Sequence, residues 1–189
     1  MTTDQSRGRG SVREVAVWDP LVRLIHWSLA LAILLNSTII DEDSKVHAWV
    51  GYTALGLVGT RLLWAVIGPK HARFSAFPPS PMRTVRYLRA VFAGEKELHL
   101  SHNPLGALMV YNLWLTVIAL GVTGHMMTTI SFYGVDWVEE AHEIAFGWLM
   151  ASVALHVAGV AFDTWHSGVN LVRAMIVGRK NWPKGRETE

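Results

Sequence analysis

The fold is decided by residues 142–162, which read HEIAFGWLMASVALHVAGVAF. An α-helix turns about 100° per residue, so fourteen residues return a side chain to within about 40° of its first direction, about 21 Å further along the axis. His142 and His156 therefore lie on one face of this helix at two depths. Histidine inside a membrane is costly and is usually functional. One helix with two inward histidines is the arrangement that a two-haem electron path across a bilayer requires.

Three other segments are also long and apolar enough to cross about 30 Å of hydrocarbon as helices. The four predicted spans are residues 22–40, 46–67, 105–127 and 142–162. Residues 82–92 are predicted to form a short amphipathic surface helix, and residues 169–177 to continue a helical pattern along the membrane surface. The sequence therefore predicts an all-α integral membrane protein, a four-transmembrane-helix bundle with short surface helices.

The chain contains no cysteine among its 189 residues. This excludes disulfides, iron–sulfur clusters held by cysteine and haem attached covalently through a Cys-x-x-Cys-His motif. A haem would therefore be held without a covalent link to the chain, with histidine or methionine as its axial ligands.

Basic residues are distributed unevenly about the predicted spans, although the formal net charge is only +2. They cluster in residues 7–23, 70–96 and 173–186, so the positive-inside rule predicts that both termini and the long middle loop are cytoplasmic. Lys45 is the one lysine or arginine in the two outer loops. Those loops carry Asp41, Glu42, Asp43, Asp136, Glu139 and Glu140. Topology and anionic membrane lipid explain the basic residues, so we expect no nucleic-acid partner.

Six of the nine histidines lie near the ends of the predicted spans, three at each depth. The inner layer contains His26, His102 and His156, and the outer layer contains His47, His125 and His142. A bis-histidine haem needs two rings at similar depth, on different helices, facing one cavity. Twenty-three residues separate the two histidines of the third span, which point about 140° apart and cannot both face the bundle centre. Interfacial hydrogen bonding is the alternative role for these two.

Arg61 lies fourteen residues after His47 and so shares its face of the second span, at the inner depth. An arginine within the membrane requires an anionic partner. A haem propionate would serve, because the guanidinium fork matches a carboxylate. The alternative is that Arg61 snorkels to cytoplasmic lipid headgroups, and the sequence favours neither.

Several short strings resemble the prokaryotic cytochrome b561 family, which is related to the b-type cytochrome subunits of nickel–iron hydrogenases. They are VWDPLVRLIHW at 17–27, HNPLG at 102–106, HE at 142–143, LHVAGV at 155–160 and NLVRAM at 170–175. The resemblance implies a four-helix bundle with two b haems. The family's ligand pattern falls on His26 with His156 and on His47 with His142, the pairing by depth, whereas His102 and His125 do not match usual ligand positions.

The resemblance covers about residues 15–180, which we therefore expect to form a four-helix di-haem cytochrome b domain. Residues 1–14 are rich in Gly, Ser and Arg and are predicted to be a flexible cytoplasmic tail. Residues 181–189 are predicted to be a second cytoplasmic tail. The expected location is the bacterial inner membrane, crossed several times.

The family implies electron transfer between an outer-side partner and the quinone pool. The partner is expected to be a periplasmic c-type cytochrome or a hydrogenase-like redox enzyme. We place the quinone near the inner haem, where Asp163, seven residues after His156 on nearly the same face, is a candidate proton relay. Pairing with a local arginine is the alternative for Asp163. The chain is then either an electron-transfer protein or a subunit of a quinone-linked oxidoreductase.

Two other functions compete with this interpretation. Some relatives resemble enzymes that oxidise superoxide and reduce ubiquinone. Superoxide is an anion and requires a positive funnel for fast capture, so the acidic outer loops argue against a superoxide:quinone oxidoreductase. A non-redox, histidine-lined metal transporter or a membrane anchor is a further alternative. Metal transport would favour close clusters of histidine and carboxylate over pairs at two depths.

Overall fold

A computed structural model describes residues 12–95 and 99–183. In chain order its elements are β1 (Val12–Ala16), α1 (Pro20–Thr38), α2 (Lys45–Ile67), α3 (Pro81–Phe92), α4 (Pro104–Met127), α5 (Asp136–Ser167), α6 (Leu171–Val177) and β2 (Arg179–Pro183). Two short 3₁₀ turns, Lys70–Ala72 and Phe74–Ala76, follow α2. The helices α1, α2, α4 and α5 are each long and apolar enough to cross a membrane. This confirms the predicted all-α bundle.

The two ends of the bundle differ, and we call them proximal and distal. At the proximal end, where α1 begins and α5 ends, lie both strands, α3 and α6. At the distal end, short connections at residues 39–44 and 128–135 join α1 to α2 and α4 to α5. The proximal end is therefore the one that the charge distribution predicts to be cytoplasmic.

Side-chain caps set where α1 and α4 begin. The Asp19 carboxylate accepts hydrogen bonds from two backbone N–H groups of the first turn of α1, at 3.0 and 3.1 Å. Its other oxygen accepts one from Nε1–H of Trp64 at 3.2 Å, which ties α1 to α2. Asn103 caps α4 by accepting from the N–H of Gly106 at 2.6 Å, and Pro104 fills the first helical position, where no N–H is needed.

The packing of the helices leaves a gap beside α5. The α4–α5 interface is the most extensive, followed by α1 with α2 and by α2 with α4. Gly121 brings α4 close to α2, because a Cβ at this position would lie 2.9 Å from a methyl group of Leu55. Neither α1 nor α2 packs extensively against α5, and all three helices lie wholly in the described part of the chain. Space therefore remains between α5 and the α1–α2 pair.

The first span is shifted by two residues toward the N-terminus, since α1 occupies Pro20–Thr38 instead of residues 22–40. The fourth span is longer than predicted. α5 runs over Asp136–Ser167 instead of residues 142–162. It begins earlier because Asp136 and Glu139 occupy its first turn, where the helix dipole favours negative charge. It ends at Gly168, whose φ of +74° is accessible to glycine at little cost. At about 1.5 Å per residue the helix is about 48 Å long and extends beyond the hydrocarbon core.

The predicted tail boundaries are wrong where the structure describes them. Residues 12–14 and 181–183 belong to an antiparallel strand pair, in which Val12 lies opposite Pro183 and Ala16 opposite Arg179. The remaining residues of the predicted tails, 1–11 and 184–189, lie outside the described residues. α6 is also a separate helix, since Gly168 ends α5 and the side chain of Asn170 caps the new start.

α3 agrees with the predicted surface helix. Thr84 and Tyr87 are buried against α4, and the Thr84 hydroxyl donates to the Pro104 carbonyl at 3.2 Å. The opposite side exposes Met82 and Phe92, which are 80 % and 88 % accessible. Three arginines share this exposed side: Arg83, Arg86 and Arg89. Exposed apolar groups next to arginines suit the interface between lipid tails and headgroups.

Candidate functional site

At the proximal depth, two histidines face each other across the gap beside α5. The ring centres of His26 on α1 and His156 on α5 lie 6.3 Å apart, with ring planes inclined by 56°. The Nδ1 atom of His26 is buried and has no hydrogen-bond partner within the described residues. A buried ring nitrogen without a partner is costly unless something else binds it.

A second pair occupies the distal depth. The ring centres of His47 on α2 and His142 on α5 lie 6.4 Å apart, with planes inclined by 63°. The Nδ1 atom of His47 is likewise buried without a partner in the described chain. Both rings line a cavity between the four long helices. Its walls include Asn36 of α1, Gly51 and Ala54 of α2, Gly121 of α4 and Phe146 of α5.

The spacing of both pairs fits a metal held between two imidazoles. Two rings that bind one ion from opposite sides have centres about 6.4 Å apart, given metal–nitrogen bonds of about 2.0 Å and about 1.2 Å from nitrogen to ring centre. The observed separations are 6.3 and 6.4 Å. Within the described residues, the histidines form no larger group with Asp or Glu that could hold an ion. Bis-histidine haem ligation uses this arrangement, with one ring on each side of the macrocycle.

The distal pair has a hydrogen bond that the sequence does not predict. The hydroxyl of Thr123 on α4 lies 2.9 Å from Nδ1 of His142. The same hydroxyl donates to the Ala119 carbonyl at 2.8 Å. The next residue, Gly124, lets the ring lie close to α4, because a Cβ there would be 3.3 Å from Cε1 of His142. α4 therefore orients His142 although it contributes no ring to the pair.

The two other histidines near the span ends have different surroundings. His125 Nδ1 is hydrogen-bonded to the hydroxyl of Tyr52 at 3.0 Å, which confirms the predicted interfacial hydrogen bonding. His102 packs between Trp18 and Phe77, with ring-centre distances of 4.8 and 5.0 Å. Burial, aided by nearby lysine and arginine charges, lowers the pKa of His102 to about 3, so this ring is neutral at physiological pH. Neither residue belongs to a facing histidine pair in the described chain.

Arg61 is buried rather than extended to the surface. Only 5 % of the residue is accessible, which is incompatible with snorkelling to headgroups. One Nη donates to the Ala72 carbonyl at 3.0 Å, and the guanidinium carbon lies 5.2 Å from the Trp114 ring centre and 5.8 Å from that of Phe77. The other Nη is buried without a partner among the described residues. One edge of the guanidinium is therefore available to an anionic oxygen.

Asp163 lies in a small polar group at the proximal end. Its carboxylate accepts a hydrogen bond from the side-chain amide of Asn103 at 3.2 Å. The same amide nitrogen donates to the hydroxyl of Tyr87 on α3, also at 3.2 Å. Within the described residues, the side chain that bonds to the Asp163 carboxylate is thus an asparagine at the start of α4, whereas the alternative considered was a local arginine.

Lys180 on β2, which belongs to the basic cluster at residues 173–186, is a buried charge. It is 4 % accessible, and its Nζ donates to the carbonyls of His99 and Ser101 at 3.2 and 3.0 Å. Nζ also lies 5.8 Å from the ring centre of Trp18. Burial lowers the pKa of Lys180 to about 8, against the opposing effect of Asp163. The strand pair thus brings a second cation, besides Arg61, into the proximal end.

A polar contact between the two histidine depths joins α4 to α5. The side-chain amide of Asn112 donates to the Ser152 hydroxyl at 2.8 Å, and Nε1–H of Trp148 donates to the Asn112 carbonyl oxygen at 2.9 Å. Interhelical hydrogen bonds in apolar surroundings help to fix how helices are rotated. This one lies along α5 between His142 and His156, and helps both to face the gap.

The distal surface is acidic. Its two connections, all of whose residues are described, contain no lysine or arginine, and Lys45 is the first residue of α2. Its exposed acidic residues are Asp41, Glu42, Asp43, Asp136, Glu139, Glu140 and, a turn further along α5, Glu143. This surface attracts basic partners and repels anions.

Comparison with known proteins agrees with the resemblance seen in the sequence. The chain matches the family model described as prokaryotic cytochrome b561 over residues 17–178, which is more than four fifths of its length. No curated protein and no solved structure shows significant similarity to it. The matched residues include all four membrane helices and both histidine pairs. The chain therefore belongs to the prokaryotic cytochrome b561 family and is a membrane b-type cytochrome of electron transfer.

Proposed function

We propose that this cytochrome carries two b haems and moves electrons across the bacterial inner membrane between a periplasmic redox partner and the quinone pool. The observation that supports this best is the pair of facing histidines at each of two depths, with ring centres 6.3 and 6.4 Å apart. We call the His26–His156 pair the proximal tier and the His47–His142 pair the distal tier. His142 and His156 on α5 are fourteen residues apart, so the two tiers are separated by about 21 Å along that helix.

Four histidines would hold the haems in this proposal. His26 and His156 would bind the proximal haem, and His47 and His142 the distal one. Their rings bind iron as neutral imidazoles, because a protonated ring has no free lone pair. When bound, each haem supplies the reversible one-electron chemistry of iron. The unpartnered Nη of Arg61 would bind a carboxylate of the proximal haem and neutralise its charge.

The proximal end faces the cytoplasm in this proposal. It carries α3 with its arginines, the strand pair and both described chain ends, whereas the distal surface is acidic. The positive-inside rule favours this orientation for a multi-pass inner-membrane protein. Anionic lipid of the cytoplasmic leaflet then lies next to the basic residues of the proximal end.

Quinone reacts at the proximal tier, and Asp163 assists it. Reduction of a quinone takes up protons as well as electrons, so the site needs a route from the cytoplasm. Asp163 lies at the cytoplasmic end of α5, where its carboxylate accepts a hydrogen bond from the side-chain amide of Asn103 at the start of α4. The carboxylate can hold a proton close to the proximal tier and exchange it with water at the bundle end.

The distal acidic surface favours a basic patch on the partner. A c-type cytochrome, or the electron-transfer subunit of a hydrogenase-like enzyme, would be steered to it by charge. The same surface repels superoxide, so nothing in the geometry favours superoxide oxidation over electron relay. The chain itself then serves as an electron-transfer protein or as the membrane subunit of a quinone-linked oxidoreductase.

A vesicle experiment tests this function. The purified cytochrome is reconstituted in liposomes with a quinol, and reduction of an externally added basic c-type cytochrome is followed, together with the reverse reaction. We expect turnover that is lost when either tier is broken, by His156→Ala or by His142→Ala, and that is retained in the control His125→Ala. Superoxide-driven quinone reduction that is faster than this relay would overturn the proposed partner, and an absence of haem absorption near 560 nm would overturn the proposal altogether.

A further inference from the structure

We infer that Thr123 is a positioning residue for the distal haem, because its hydroxyl fixes the tautomer and the orientation of His142. This inference rests on the proposed function, since it assumes that His142 is an axial ligand. The observation that carries it is the contact between Thr123 Oγ1 and His142 Nδ1 at 2.9 Å.

The direction of this hydrogen bond follows from the other bonds of the hydroxyl. A threonine hydroxyl has one hydrogen and two lone pairs. Thr123 directs its hydrogen to backbone carbonyls one turn earlier, at 2.8 Å to Ala119 and 3.3 Å to Leu120. Toward His142 the oxygen is therefore an acceptor, and Nδ1 of the ring carries the hydrogen. Nε2 is left with its lone pair, which is the nitrogen available to a metal.

The backbone of α4 completes the support. Gly124 follows Thr123, and a Cβ at this position would lie 3.3 Å from Cε1 of His142. The ring edge thus packs directly on α4, which limits its rotation about the side-chain bonds. The two neighbouring residues act together, since Thr123 sets which nitrogen is free and Gly124 leaves the space for the ring.

The paired histidines differ in whether a side chain of the described chain is hydrogen-bonded to Nδ1. His26 and His47 each have a buried Nδ1 with no hydrogen-bond partner in the described chain, whereas Nδ1 of His142 has one. A ligand histidine that donates its second N–H to an oxygen is a more basic ligand and favours the oxidised metal. Thr123 is therefore expected to lower the reduction potential of the distal haem and to leave that of the proximal haem unchanged.

The test compares Thr123→Val, which keeps the side-chain shape and removes the hydroxyl, with Thr123→Ser, which restores it. Thr60→Val is the matched control. The Thr60 hydroxyl also donates to a carbonyl one turn earlier, that of Gly56 at 2.8 Å, and it makes no hydrogen bond to a histidine of the described chain. Haem content, the two midpoint potentials from a spectroscopic redox titration and the electron paramagnetic resonance of the ferric haems are measured on the purified proteins.

We expect Thr123→Val to raise one midpoint potential and to change the resonance of that haem alone, with Thr123→Ser and Thr60→Val close to wild type. Unchanged potentials and resonances in Thr123→Val, or equal shifts of both haems, would overturn the inference. If Thr123→Val does not retain haem, Gly124→Ala provides the second test. We expect this variant to change the resonance of the distal haem and to leave that of the proximal haem unchanged. Any other result would contradict the inference. Fewer than two haems in the wild type would instead refute the proposed function.

Discussion

His26 on α1 and His156 on α5 face each other with ring centres 6.3 Å apart, although their two helices have little direct contact. The separation equals that of two imidazoles on one metal, and the same relationship recurs between α2 and α5 at the distal depth. The same spacing between histidines therefore recurs at both depths, and the distal pair lines a cavity.

Replacing Arg61 tests whether its guanidinium binds a haem propionate or only contributes a buried charge to the protein structure. A charged hydrogen bond contributes about 1.5–3 kcal/mol, so Arg61→Met should weaken retention of the proximal haem by roughly ten- to a hundredfold. The measurement is the rate of haem transfer to an acceptor protein, with the exposed Arg83→Gln as control. A variant with unchanged haem retention and a higher melting temperature would contradict the assignment, because removal of an unpaired buried charge stabilises a protein.

Replacing Asp163 tests the proton relay. Asp163→Asn keeps the side-chain shape and an oxygen that can accept from Asn103, but it cannot carry a proton. Loss of a positioned proton-transfer group costs about a hundredfold or more when proton transfer limits the rate, so quinone turnover should fall by at least about tenfold while haem content stays normal. Asp136→Asn at the distal end is the control. Unchanged quinone turnover at every pH would eliminate the relay.

Lys180 should make stability depend on pH in the alkaline range. Burial lowers its pKa from 10.5 to about 8, so between these values the unfolded chain binds more protons than the folded protein. The stability contribution therefore rises as pH increases from about 8 to about 10.5, by about 3 kcal/mol at most. The melting temperature of the wild type relative to Lys180→Met, followed by tryptophan fluorescence, should increase over this window. A difference in melting temperature between the wild type and Lys180→Met that stays constant from pH 7 to 10.5 would contradict the lowered pKa of Lys180.

The arginines of α3 should bind anionic lipid. Each basic residue near a charged membrane surface contributes about 1 kcal/mol, so replacing Arg83, Arg86 and Arg89 by Gln should weaken retention of phosphatidylglycerol by roughly two orders of magnitude at low salt. Native mass spectrometry of the lipid-bound protein measures this. Arg173→Gln is the control, since that arginine already pairs with Glu14 at 3.8 Å. Equal lipid retention in the triple variant and the control would show that α3 does not contact headgroups.

Local signals account for what the sequence could predict. Four apolar stretches of about twenty residues identify the spans, because hydrophobic length alone determines whether a helix can cross a bilayer. Helical periodicity put His142 and His156 on one face, and the charge distribution sorted the histidines by depth. Both facing pairs found in the structure are those predicted from the resemblance and from depth.

The features that were missed depend on contacts between distant elements. The Thr123–His142 hydrogen bond requires the relative rotation of α4 and α5, which no single helix encodes. Burial of Lys180 depends on the pairing of β1 with β2, whose register joins the two ends of the described chain. The early start of α5 was missed because its acidic first turns, with Asp136 and Glu139, have the composition of a loop.

The most direct test of the account is the haem content of the purified protein and of its single histidine variants. The wild type should carry two protohaems per polypeptide. His26→Ala or His156→Ala should lose the proximal haem, His47→Ala or His142→Ala the distal one, and His102→Ala and His125→Ala should keep both. One haem or none in the wild type, or two haems retained after loss of any of the four paired histidines, would contradict the account.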